Sequence, residues 1–119
     1  MPLDESDAGY LWDMLEAARG IVGSVATLTL ERYRADENLR LATERRIEII
    51  GEAAGRVSPG VQQAHPDIPW RGIIAQRHVL AHEYGDVDDE LIWTVATVHV
   101  PQLIVQLEQL IPSPPPDPE

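Results

Sequence analysis

The sequence contains no cysteine and no lysine, so it can form neither disulfides nor cysteine-ligated metal centres, and its 9 basic side chains are all arginines. It has no apolar run long enough to resemble a membrane span. It shows no internal repeat, and no segment alternates with period two for long enough to specify a strand. Positive charge is scarce: 9 arginines face 20 acids, a formal net charge of −11. That balance argues against broad, non-specific nucleic-acid binding, which needs many phosphate-neutralising side chains. The opening Pro2-Leu3-Asp4-Glu5 is acidic where a secretory leader is basic, which points to the cytoplasm.

What remains is the composition of a folded domain. A chain of 119 residues, 44% hydrophobic and 24% charged, is one globular domain. At that length it buries roughly two-thirds of the surface its unfolded chain exposes. The charge is unevenly placed. Six arginines and six acids balance within residues 31–56, and the rest of the chain, with three arginines and fourteen acids, carries the whole excess.

Hydrophobic periodicity predicts helices throughout. Leu11, Met14, Leu15, Ala18, Ile21, Val22, Val25 and Leu28 follow three-four spacing, with Ser6 or Asp7 as N-cap and Gly20 and Gly23 weakening the second half. A second helix starts from Asp36 as N-cap and runs through Leu39, Ile49, Ile50 and Val57 until Ser58-Pro59-Gly60 stops it. Gly51 and Gly55, one turn apart, leave room for another backbone. Pro69 opens a shorter third helix carrying Trp70, Ile73, Ile74 and Arg77. Gly85-Asp86-Val87-Asp88 interrupts the pattern, and Asp88 or Asp89 caps a fourth helix whose apolar stripe extends to Leu110, with a kink at Pro101. The expected architecture is an all-α bundle of four helices, five if Pro101 divides the last, over residues 1–111. Residues 112–119, with five prolines, read as an extended tail.

The chemistry concentrates in Arg77-His78-Val79-Leu80-Ala81-His82-Glu83-Tyr84. On an ideal helix Arg77 and His82 stand about 140° apart, so a functional pair requires a helix end between them or assembly across a subunit interface. Three readings stand side by side. In the first, Arg77 pairs with an acid, His82 is a satisfied boundary residue and Tyr84 packs. In the second, His78 and His82, at i and i+4, ligate a metal whose third ligand would be His65, His99 or an aspartate. In the third, Arg77 and His82 cut a phosphodiester: imidazole moves a proton near neutral pH, and guanidinium holds the non-bridging oxygens as their charge grows.

Several separated blocks occur in a telling order: Arg46-Ile47-Glu48-Ile49-Ile50-Gly51-Glu52-Ala53, His65-Pro66-Asp67-Ile68-Pro69-Trp70, the Arg77–Tyr84 segment, Val87-Asp88, and Leu91-Ile92-Trp93. Over about residues 36–111 the sequence thereby resembles the HEPN ribonuclease toxins of the HepT type. The resemblance implies a homodimeric helical bundle with Arg77 and His82 as an Arg-x4-His catalytic pair, two copies of which lie together in a cleft at the dimer interface. It implies RNA cleavage without a metal or other cofactor, and neutralisation by a minimal nucleotidyltransferase antitoxin that transfers AMP from ATP to Tyr84. A bulky anionic group two residues from His82 would fill the cleft and repel RNA phosphate. The alternative is a non-catalytic helical subunit that binds a nucleotidyltransferase. One departure is His78, where the family often has asparagine, and it leaves open a share for His78 in proton transfer. Glu52 is a candidate to orient Arg77, with an intrahelical pairing to Arg56 as its simpler role. Trp70 and Trp93 read as core anchors rather than base-stacking platforms, and Arg45 and Arg46 as helix-surface ion-pairing residues, with contact to RNA phosphate as their alternative role. The acids Glu83, Asp86, Asp88, Asp89 and Glu90 that follow the motif are expected to favour protonated His82 and to discourage RNA outside the cleft.

Overall fold

The computed structural model describes residues 3–82 and 88–111, with residues 78–82 described through their backbone alone. Among these residues the architecture is all-α. Helix α1 spans Glu5–Val25, α2 Leu30–Ala35, α3 Glu37–Arg56, α4 Pro59–Ala64, α5 Trp70–His82, α6 Asp89–Thr94 and α7 Val100–Leu110, with a π-helical turn, Val95–His99, joining α6 to α7. The expected turn at 85–87 and the proline-rich tail at 112–119 lie outside the described residues.

Helix α1 forms the spine because its apolar residues repeat on one face: Leu11, Met14, Leu15, Ala18, Ile21 and Val25 are all buried. Helix α3 packs along it through Ile47, Ile50, Ala53 and Ala54, α7 packs on α1 through Leu103 and Leu107, and α5 lies along α3. Each such large aliphatic residue contributes roughly 1.5–3 kcal/mol when fully buried, which outweighs the propensity of any single cap. Gly20 and Gly23 do not shorten α1. Gly20 instead leaves room for Arg46, whose guanidinium crosses from α3 to donate to the Ser24 hydroxyl (2.9 Å) and the Gly20 carbonyl (3.3 Å). Arg46 is therefore an interhelical clasp rather than a surface ion-pair residue, while Arg45 does meet Glu48 at 3.8 Å.

The caps follow the sequence in two places and depart from it in one. Asp36 accepts from the Leu39 amide, and Asp88 accepts from the amides of Glu90 and Leu91. At α1 the cap is Asp4, which accepts from the Ser6 amide, and not Ser6 or Asp7. Asp7 is buried and accepts from both the amide and the hydroxyl of Ser58 (2.8 and 2.7 Å), fixing the α3–α4 corner against α1. Three residues there, Asp4, Ser6 and Asp7, are able to cap, and the more interior carboxylate has a tertiary partner.

Two short helices, α2 and α4, add to the expected four or five, because six residues hold too few apolar positions to register as a period. Helix α2 seats Tyr33 in the core, where its ring meets Trp93 at 5.5 Å between centroids. Trp70 is likewise an anchor: it is 7% exposed, and its indole N–H donates to the His65 carbonyl at 3.0 Å. The irregularity expected at Pro101 lies just before it, in Val95–His99, with Val100 between. Pro101 has no N–H to donate to the carbonyl of Thr97, and the wider π turn, closed from the Val100 amide to the Val95 carbonyl, precedes it. No described helix is long and apolar enough to cross a membrane.

Candidate functional site

Arg77 sits on the face of α5 turned toward α3, directly over Gly51. A methyl group added at Gly51 would run into the Arg77 Cβ and come within 2.9 Å of the Ile73 carbonyl oxygen. The missing side chain at position 51 thus lets the two helices approach closely and sets the height of Arg77 above α3. Gly55, one turn further, faces open space and has no such role.

The Arg77 side chain is half-buried, and its Nε is fully buried without a hydrogen-bond partner among the described residues. A buried N–H left without an acceptor costs about 1–3 kcal/mol, so the position favours an incoming oxygen, and an anionic one most strongly. The residue proposed to steady it is engaged elsewhere. Glu52 lies 3.5 Å from the Arg56 guanidinium along the same helix.

Helix α5 continues through His82 as its last residue. No helix end separates Arg77 from His82, so the two remain about 140° apart in register and do not share a face. His78 and His82 do share one, and Arg71 and Ala75 fall on the same stripe at i, i+4, i+7 and i+11. Tyr84, Glu83 and Asp86 lie outside the described residues. Among the described residues no three of His, Cys, Asp or Glu come together as metal ligands. His65 ends α4, and His99 closes the π turn.

Between α5 and the α6–α7 stretch runs a groove of about 420 Å³, floored by Ile47 and Ile50 of α3 and walled by Ile73, Gln76, His99 and Leu103. One bond crosses it, from the Gln106 side-chain amide to the Asp67 carbonyl at 2.8 Å. A separate polar cluster surrounds Tyr33. Burial, with Glu44 and Asp89 nearby, holds the Tyr33 phenol well above its usual range, and burial followed by the Asp89 charge raises the Glu44 carboxyl against the opposing pull of Arg40. Sequence periodicity marks Tyr33 as neither core nor polar-cluster member, because its helix is too short to show a pattern.

Comparison with known proteins converges on one family. The family model described as Ribonuclease HepT-like matches residues 14–110. A "Probable ribonuclease HepT" of Thermococcus cleftensis is 32% identical over 108 residues, covering 91% of this chain and 98% of its own. A "Putative RNase" of Methanocaldococcus jannaschii is 29% identical over 102 residues, covering 86% of this chain and 84% of its own. Another protein of that name, from Caldanaerobacter subterraneus subsp. tengcongensis, is also 29% identical, over 86% of this chain and 91% of its own. No solved structure gives a significant match.

Proposed function

We propose, on the premise that this chain belongs to the HepT-like ribonuclease family, that it is the toxin of a toxin–antitoxin pair and cuts RNA at a site built from Arg77 and His82. The observation that carries the reading is the buried Nε of Arg77 on α5, which has no hydrogen-bond partner among the described residues and is held in place by the close approach at Gly51. In the proposed reaction the ribose 2′-oxygen attacks the adjacent phosphorus while the bond to the 5′-oxygen breaks. A cyclic 2′,3′-phosphate and a free 5′-hydroxyl result. His82 carries a proton in that exchange, His78 is its candidate helper, and Arg77 donates to the non-bridging oxygens as negative charge builds on them. The chemistry needs no metal.

The active form is a homodimer acting in the cytoplasm: Arg77 and His82 of a single α5 stand about 140° apart in helical register, and the partner copy supplies the complement. A minimal nucleotidyltransferase is the antitoxin, and Tyr84 is the AMP acceptor. Purified protein should cleave RNA in the presence of a chelator, and Arg77→Ala and His82→Ala should each abolish cleavage while the helical circular dichroism is retained. Full cleavage by His82→Ala would remove the assignment. Uncut RNA with the wild-type protein would favour the non-catalytic subunit, whose motif only shapes a binding cleft. Mass spectrometry after incubation with the antitoxin and ATP should show AMP on the wild type and none on Tyr84→Phe.

A further inference from the structure

At the N-terminal end of α5, Pro59, Gln62, Gln63, Pro66, Trp70 and Arg71 line an open depression of about 400 Å³. None of its lining residues is acidic, in a chain whose net charge is −11. Arg71 is exposed and meets no carboxylate among the described residues, whereas Arg19, Arg34, Arg45 and Arg56 each do. Gln62 donates through Nε2 to the carbonyls of Ala54 and Val57, both at 3.1 Å. Both amide hydrogens are thus committed, and its Oε1 is left as an acceptor. Gln63 beside it is exposed. The proline rings supply flat apolar walls.

Helical register connects this depression to the motif. Arg71, Ala75, His78 and His82 fall within a sector of about 60° on α5, and the rise from Arg71 to His82 is about 16 Å, a span of a few nucleotides. Ala75 is small and exposed, so no bulky side chain stands at that point of the path. Single-stranded RNA is held by cations that track its backbone and by surfaces that receive splayed bases. Both elements are present here, at one end of the stripe that carries His82.

We infer that the depression is an RNA subsite: Arg71 binds a backbone phosphate a few nucleotides from the scissile bond, and the cavity beside it receives an unpaired base whose N–H edge meets the Gln62 Oε1. The inference rests on the ribonuclease reading above and adds to it the path of the strand. It also places the phosphate contact beside a depression whose lining carries no acid, although Asp67 follows Pro66 at its edge.

The test measures binding of short single-stranded oligo(A), oligo(C) and oligo(U) to the His82→Ala protein, which holds substrate uncut, with and without Arg71→Ala, across a series of salt concentrations. Loss of Arg71 should weaken binding about tenfold and reduce the magnitude of the slope of log K against log salt by about 0.7, the contribution of one phosphate contact on a single strand. Gln63→Glu, at an exposed position with no side-chain bond among the described residues, should weaken binding in the same direction. In the cleavage-competent protein Arg71→Ala should raise KM with kcat unchanged. If cleavage depends on Arg77 and His82 while Arg71→Ala leaves slope and KM unaltered, the subsite is wrong and the ribonuclease reading stands. If the wild type neither binds nor cuts RNA, both fall.

Discussion

At the scale of single residues, the charged and the missing side chains of α3 make opposite contributions. Glu44 is a half-buried carboxyl raised by its burial and by Asp89. The folded chain therefore holds that proton to higher pH than the unfolded chain does. Its contribution to stability is greatest where both states are protonated and is lost as pH rises from the ordinary carboxyl range through the raised folded value. Glu44→Gln mimics the protonated form, so its melting temperature should exceed that of the wild type near pH 7 and match it near pH 4. An equal gain at both values would show that the charge is not responsible. Gly51 works by absence. Gly51→Ala should cost about 1–3 kcal/mol by overpacking, read from the urea midpoint, and should reduce RNA cleavage beyond what the stability loss explains, because the clash falls on Arg77 itself. Cleavage that tracks only the folded fraction would mean that Arg77 tolerates the shift.

At the scale of elements, the joints matter more than the helix interiors. Asp7 links the first turn of α1 to the start of α4 through two bonds to Ser58. Removing the carboxylate in Asp7→Ala strands a half-buried amide and hydroxyl at once, with an expected loss of about 1–3 kcal/mol in chemical denaturation. A loss of a few tenths, typical of an exposed cap, would show that water replaces the carboxylate. This joint illustrates what sequence does and does not reveal. The apolar stripes of α1, α3, α5 and α7 are legible because each runs for three turns or more, and the caps Asp36 and Asp88 because an aspartate stands where each apolar pattern begins, with Asp89 the one competitor at α6. The choice of Asp4 over Asp7 is not legible, since it depends on Ser58, 51 residues away in sequence. Helix α2 escapes for want of length, and Arg46 because a surface-looking arginine turns inward only where Gly20 makes room. Within the site, the i to i+5 spacing of Arg77 and His82 correctly warns that one helix cannot make them converge. It does not reveal that Gly51 sets the position of Arg77, because that contact joins two helices distant in sequence.

At the scale of the whole molecule, the proposed homodimer must overcome its own charge. Two copies each carry a formal −11, so association depends on buried apolar surface and is opposed by long-range repulsion. Salt screens that repulsion within about 10 Å at 0.1 M, so dimerisation should strengthen as salt is added. RNA binding should weaken over the same range, because it releases counterions. Light scattering on the eluting protein should give twice the 13.2 kDa chain mass, and dilution at low salt should be the condition that first produces monomer. The composite nature of the site is tested by exchange. Arg77→Ala and His82→Ala are each expected to be inactive, but mixed and allowed to exchange subunits they form dimers in which one chain supplies Arg77 and the other His82. If the pair works across the interface, cleavage returns in the mixture and only there. If fluorescence transfer between labelled subunits shows that exchange has occurred and cleavage stays absent, Arg77 and His82 must act within one chain. The helix following His82 in sequence would then have to bring a further donor to the phosphate, since the register of α5 keeps the two apart.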